Sequence, residues 1–313
     1  MANAEEFRRQ GSHLYEENIN NSRLILFADL DGTWMKGCDE ERRALHGYWQ
    51  KLCEEYAACL IYNTGRPLEH VRTLIEEQKL MEVDYYICNN GCNIYYRNRL
   101  WSPWITFLSQ HNCSLGLFAD VERSLNDYKS TTPGMVVNRA GFLIEIFIKS
   151  KQGFNACVRE YMNVKAYLEK RYSSPSLFLY CWTQDELDLY GPWNDSWIAT
   201  HGLEIRISPA FTHESKGPAA QFIAEQFSLS QVQRMDTSLT YTDCVQFFWA
   251  GDWDNDLGML NNKNMAGIVV ANASKLLKDK AREAQADGCQ IVFPADEGAA
   301  GVLEGLKKLV HST

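Results

Sequence analysis

The sequence has no apolar run long enough to cross a bilayer. Met1 to Asn21 is polar and charged without an apolar centre, so neither a signal peptide nor a membrane anchor is expected there. Positive charge is also in deficit: 31 Lys and Arg against 40 Asp and Glu leave a formal net charge of -9. That balance argues against a nucleic-acid backbone or an anionic membrane as the main partner, and it obliges any anionic small substrate to find a local cation. Ten cysteines are present, but no Cys-x-x-Cys spacing repeats; the closest pair, Cys88 and Cys92, encloses Asn89-Asn90-Gly91. A zinc site would need two such pairs or neighbouring histidines. Most of these cysteines lie in apolar stretches, where a free thiol packs as a small hydrophobe, which favours a reducing compartment and makes the cytoplasm the expected location. There is no internal repeat and no low-complexity tract.

What the sequence does contain is organised around Leu24-Ile25-Leu26-Phe27-Ala28-Asp29-Leu30-Asp31-Gly32-Thr33. Leu24 to Ala28 has the length and apolar continuity of a strand buried on both faces of a parallel sheet. In such sheets ligands bind beyond the carboxyl ends of the strands, where Asp29 and Asp31 would lie. The competing reading is plain turn chemistry, since Asp-Gly commonly closes a hairpin.

The segments that follow favour the first reading. Leu45, Trp49, Leu52 and Tyr56 form the stripe of an amphipathic helix over Glu40 to Ala58. Cys59 to Tyr62 is a second apolar strand, ending in Asn63-Thr64-Gly65-Arg66-Pro67, and Pro67 suits the first turn of a helix over Leu68 to Gln78. Tyr85 to Cys88 is a third strand. Alternating strands and helices of this kind predict a Rossmann-like parallel α/β core with right-handed crossovers.

From about Asn93 the rhythm changes. A hairpin turning at Arg97-Asn98 is expected, then helices over Pro103 to Gln110 and Leu117 to Asn126. A strand at Leu143 to Lys149 follows, then a helix over Asn155 to Arg171 with Val158, Tyr161, Val164 and Leu168 on one side, and a strand at Ser176 to Thr183. The parallel rhythm resumes near Leu203, with a strand to Ile207, a helix from Lys216 to Gln226, and an apolar strand from Val245 to Ala250 ending in Gly251-Asp252-Trp253-Asp254-Asn255-Asp256. The expected organisation is a polar leader over 1–22, a core built from 23–92 and 203–313, and an inserted α/β cap over 93–202.

Carboxylates from separate strand-end loops, Thr64-Gly65-Arg66 and Lys216 would converge on one rim of the sheet if the strands are neighbours. Such carboxylates suit magnesium, which prefers oxygen ligands and retains waters and a substrate phosphate. Thr64 and adjacent backbone N–H groups suit phosphate oxygens, with Lys216 as a point charge.

In order, spacing and strand context, Asp29-x-Asp31-x-Thr33, Thr64-Gly65-Arg66, Lys216 and Gly251-Asp252-x-x-Asn255-Asp256 resemble the four motifs of the haloacid dehalogenase superfamily of phosphatases. The insertion resembles the α/β cap of its Cof-like and sucrose-phosphatase-like branches. Trp34, the Trp104-x-x-Phe107-Leu108 helix, Val270-Ala271-Asn272-Ala273 and Ala299-Ala300-Gly301-Val302 are similar to the sucrose-6-phosphate phosphatase family. The resemblance implies Asp29 as nucleophile, forming an aspartyl-phosphate, and Asp31 as general acid and base. It implies Thr64, Gly65, Arg66 and Asn255 at the phosphate or substrate, and Lys216 neutralising the phosphoryl group and Asp29. Magnesium would be held by Asp29, Asp252 and the backbone carbonyl of Asp31, with Asp256 supporting the metal shell.

The implied function is a magnesium-dependent phosphatase of a small phosphorylated metabolite, most simply a sugar phosphate, with the cap choosing the substrate. A phosphomutase resembling the phosphomannomutases and a non-catalytic sugar-phosphate binder are the rivals. One position departs from the pattern: Trp253 and Asp254 stand where a small residue, often serine, is usual. The indole would narrow or shield the site, or else point away into packing, and Asp254 would add a carboxylate near the metal. Tyr180, Trp182, Tyr190, Trp193 and Trp197 in the cap are candidates for sugar stacking as well as ordinary core material, whereas His201 and His213 are expected to be structural or solvated.

Overall fold

The computed structural model describes residues 23–129, 132, 134–172, 174–181, 202–212, 215–232 and 245–310. The leader, Trp182, Tyr190, Trp193, Trp197, His201 and His213 lie outside the described residues. One compact unit runs to Arg99 and resumes at Ser215, and a second is formed by the stretch between them.

The first unit is built on an eight-stranded sheet. Its strands are β1 (Leu24–Ala28), β2 (Cys59–Asn63), β3 (Tyr85–Cys88), β4 (Asn93–Tyr96) and β5 (Arg99–Leu100). Later in the chain come β10 (Gln246–Gly251), β11 (Met265–Val269) and β12 (Ile291–Val292), and the order across the sheet is β12-β11-β10-β1-β2-β3-β4-β5. From β12 to β3 every pairing is parallel.

All five residues of β1 are buried, as a central strand with covered faces requires. Leu24, Leu26 and Ala28 join a core with helix α1 (Asp39–Tyr56), α2 (Leu68–Glu76) and the last helix, Gly298–Val310, through Leu45, Trp49, Val71, Val302 and Leu306. The predicted stripe of α1 is buried at Leu45, Trp49 and Leu52, with Tyr56 half-buried at its end. Pro67 is the residue that caps α2 rather than its first helical position.

The second unit contains α3 (Ser102–Gln110), α4 (Leu115–Lys129), β6 (Met135–Ala140), β7 (Leu143–Ile148), α5 (Phe154–Arg171), β8 (Leu177–Cys181) and β9 (Leu203–Pro209). Its sheet is antiparallel throughout in the order β6-β7-β9-β8. Tyr161, Val164 and Leu168 of α5 are buried; Val158 is only half-buried, and Cys157 is buried in its place.

Two boundaries differ from the sequence expectation. β9, expected to restart the parallel core, pairs antiparallel with β7 and β8 in the second sheet. Its alternation shows why: Leu203, Ile205 and Ile207 are buried while Glu204 and Arg206 between them are half-buried, the pattern of a strand with one covered face. At the other boundary β4, expected to begin the cap, pairs antiparallel with β3 in the core sheet. Asn89, Asn90 and Gly91, at φ 54, 52 and 88, reverse the chain there. The hairpin turn at Arg97-Asn98 is present, with φ 46 and 66.

The remaining core helices are α6 (Lys216–Val232), α7 (Lys275–Ala286) and α8 (Gly298–Val310), with a 3-10 segment at Asp254–Asn261. Ser274 caps α7 by accepting the N–H of Leu277 at 3.1 Å. No helix among the described residues is long and apolar enough to cross a membrane.

Candidate active site

β10, β1 and β2 are adjacent and parallel, so the loops after Ala28, Asn63 and Gly251 open on one rim of the sheet. After β1 the chain enters a tight helical turn, Leu30–Trp34, closed by Trp34 N–H donating to the Asp29 carbonyl at 3.1 Å. Gly32 sits at φ +76, and a Cβ there would run into the Asp252 carboxylate. Thr33 is wholly buried and donates its hydroxyl to Asp252 Oδ1 at 3.1 Å. The loops after β1 and β10 are thus locked to each other.

Lys216, the first residue of α6, is 1% exposed. Its Nζ donates to Asp29 Oδ1 at 2.5 Å and to Asp256 Oδ1 at 2.9 Å. Asp256 Oδ2 accepts the N–H groups of Asp252 and Trp253 at 3.1 and 3.2 Å. Asp29, Asp252 and Asp256 are all buried and bring ligand oxygens within 4.8 Å of one another.

Three buried acids face one buried lysine, so negative charge is in excess. Burial, reinforced by Asp256 and Asp252, pushes Asp29 up to about 8 against the pull of Lys216. Asp252 is raised too, chiefly by burial. Lys216 is raised because its two carboxylates outweigh its own burial. An oxygen-preferring divalent cation fits this donor set and relieves the excess.

Folded Asp29 keeps its proton up to about pH 8, whereas an unfolded aspartate loses it near about pH 4. Between those limits the native state binds more protons, and its contribution to the stability of the cation-free protein falls as pH rises. A cation competes with that proton. Magnesium is therefore expected to raise the melting temperature by roughly 5 °C at pH 8 and by much less at pH 5.5. Thermal melts with magnesium or EDTA across this range check it, and a magnesium effect that does not grow with pH would remove this cluster as the cation site.

Asp31 stands apart. Its carboxylate side chain is 58% exposed and is gripped by both arms of Arg66, at 2.7 Å from Nε and 2.6 Å from Nη2. Any share of Asp31 in a cation shell falls to its backbone carbonyl. Thr64 is wholly buried, and its Oγ1 accepts the N–H of Arg66 at 3.1 Å, which leaves the hydroxyl proton to donate. Gly65 lies close under Asn90, whose Oδ1 would be 2.9 Å from a Cβ at that position.

A cavity of about 410 Å³ is lined by Asp29, Asp31, Gly32, Gly65, Arg66, Asp252, Trp253 and Asn255. The motif residues of three separate loops therefore share one space. Asn255, expected at the phosphoryl group, lines this cavity; its Nδ2 donates to Asn90 Oδ1 at 2.9 Å, and its buried Oδ1 meets no donor among the described residues. Asp254 does not join the acid cluster, because its carboxylate accepts the Ser274 hydroxyl at 2.6 Å. Trp253 is 61% exposed, which excludes the packed alternative.

Asn272 was given no role by sequence reasoning. Its Nδ2 donates to the Gly32 carbonyl at 2.9 Å and to Asp252 Oδ2 at 3.3 Å, and its Oδ1 accepts the N–H of Gly298 at 2.9 Å. It ties the loops after β1 and β11 to the start of α8. A polar residue ending the apolar run Gly267 to Ala271 was the available signal.

The family model of the sucrose-6F-phosphate phosphohydrolases matches residues 22–133 and 208–309. Mannosylfructose-phosphate phosphatase of Agrobacterium fabrum is 31% identical over 75 residues, an alignment spanning 24% of this chain and 30% of that protein. The sucrose-phosphatase of Synechocystis, solved with sucrose and phosphate, superposes with a TM-score of 0.53 at 20% identity, over 92% of this chain and 98% of that one. A haloacid dehalogenase-like hydrolase of Bacillus subtilis gives 0.53 at 14% identity over 93% of each chain. These structural likenesses establish the fold.

Proposed function

Because this chain belongs to the sucrose-6F-phosphate phosphohydrolase family, we propose that it is a magnesium-dependent phosphatase of a small sugar phosphate, with the phosphoryl group carried in turn by Asp29. The observation that carries the reading is the placement of Asp29. It is buried and held by Lys216, and it opens on the same cavity as the exposed carboxylate of Asp31.

A carboxylate oxygen of Asp29 attacks phosphorus, the bond to the sugar oxygen breaks with its electron pair, and Asp31 gives that oxygen a proton. Water then attacks the aspartyl-phosphate and yields its proton to Asp31, releasing inorganic phosphate and free Asp29. Lys216 offsets the charge gathered on Asp29 and the phosphoryl group. The Thr64 hydroxyl and the Gly65 N–H receive phosphoryl oxygens. Arg66 occupies both oxygens of Asp31, so this ion pair must open before Asp31 meets a leaving group.

Asp29, Asp252 and the backbone carbonyl of Asp31 would hold magnesium with Asp256 behind them, and the bound ion supplies positive charge against the phosphoryl oxygens. The sugar part of the reading draws on the sucrose named for the Synechocystis structure and on the mannosylfructose phosphate in the name of the Agrobacterium relative. The nine cysteines among the described residues are free thiols, in keeping with the reducing cytoplasm we assign.

Phosphate release from sucrose 6-phosphate, trehalose 6-phosphate, hexose phosphates and phosphoglycolate, with magnesium or EDTA, tests the proposal. Release from a sugar phosphate that EDTA abolishes is the expected result. Release that persists in EDTA overturns the cation, sugar-phosphate binding without release supports the binder, and dependence on a sugar bisphosphate supports the mutase.

A further inference from the structure

Trp253 keeps 61% of its surface exposed although it lines the same cavity as Asp29, Arg66 and Asn255. A lone exposed aromatic on an outer surface needs no explanation, but one facing a reaction space does. The backbone that carries the indole is pinned: the Trp253 main-chain N–H donates to Asp256 Oδ2 at 3.2 Å, and the next residue, Asp254, accepts the Ser274 hydroxyl at 2.6 Å.

The indole shares the cavity with the charged groups of Asp31 and Arg66. A ligand with one apolar face and polar edges fits that lining; a sugar ring has both, and a bare phosphate has no apolar face.

We propose that Trp253 forms a sugar subsite on the core itself, in which the C–H face of a sugar ring lies on the Trp253 indole. This rests on the phosphatase reading of the same cavity. It moves part of substrate choice from the cap, where the sequence placed it, to the loop after β10.

Calorimetric titration with magnesium present, using sucrose, trehalose and glucose as one set of probes and inorganic phosphate as another, tests the subsite without turnover. Trp253→Ala is expected to weaken binding of the best neutral sugar about tenfold, and Trp253→Phe, which keeps an aromatic face, to restore it to within about threefold. Phosphate affinity is expected to change much less. In kinetics, Trp253→Ala should lose about ten times more kcat/KM on a sugar phosphate than on phosphoglycolate.

Sugar affinity untouched by Trp253→Ala, or equal losses for sugar and phosphate, would overturn the subsite and leave the catalytic reading standing. Wild-type protein that binds a neutral sugar through Trp253 but releases no phosphate would overturn the catalytic reading and leave the subsite standing. Trp253 is exposed, so truncating it disturbs no core packing, and a thermal melt verifies the fold of each variant.

Discussion

Asp29→Asn is expected to lower phosphate release by about four orders of magnitude or more, because in the mechanism we propose Asp29 supplies the attacking carboxylate oxygen. The same substitution is expected to leave the cation-free protein at least as stable as wild type at pH 8. Asp29 is buried beside two further acids, and its ionised form is disfavoured there. A neutral amide of the same shape removes one crowded charge and can still accept from Lys216 through its oxygen. The gain in melting temperature on adding magnesium should shrink accordingly, since one of three carboxylates is gone. Activity assays and melts in EDTA or magnesium check both halves. Retained activity would displace Asp29 as nucleophile, and a large loss of stability in EDTA would contradict the charge excess on which the cation argument stands.

Lys216→Met is the second substitution with a large expected effect, and its signature is opposite. Lys216 is the cation between Asp29 and Asp256, with no more than 2.9 Å to either, and both partners are buried. Methionine fills comparable volume but leaves the carboxylates facing each other in a poorly solvated site. Removing one partner of a buried ion pair costs about 3 to 5 kcal/mol. The variant should melt far below wild type in EDTA, recover part of the loss with magnesium, and lose at least about a hundredfold in turnover because nothing offsets the charge on Asp29. Denaturant titrations above pH 8, where Asp29 has lost its proton, with and without magnesium measure this. Wild-type stability in EDTA would show that the three acids do not carry the charge assigned to them. The two variants thus separate the roles of neighbours 2.5 Å apart, one limiting chemistry and the other limiting chemistry and folding together.

The core and the position of its site were legible because each signal was local. Leu24 to Ala28 reads as a buried strand, and the polar residues that end β1, β2 and β10 stand in the loops that line the cavity. Parallel order then brings them together without further instruction. The edges of the inserted unit were less legible. Leu203 to Pro209 has an apolar content that suits either sheet, and only its strict alternation betrays the antiparallel one. Asn93 to Tyr96 is brought back along β3 by three successive left-handed residues, a reversal decided by backbone angles at Asn89 to Gly91. The second hydrogen-bond layer was the least legible. Asn272 meets Asp252 across 20 residues, and Asn255 meets Asn90 across 165. Pairings between side chains so far apart leave no periodicity in a sequence.

The interruption of the core by the second unit also bears on how the molecule comes into being. Strand β1 has as its neighbour β10, and the contacts that arm Asp29 and Thr33 span 187 and 219 residues. Loop closure over such separations is slow and comes late in folding. Chain synthesis at about 5 to 20 residues per second puts the emergence of Asp252 tens of seconds after that of Asp29. Throughout that interval the nascent chain carries an aspartate without its lysine or its cluster partners, and the acid cluster first exists as a unit once the central strand order is complete.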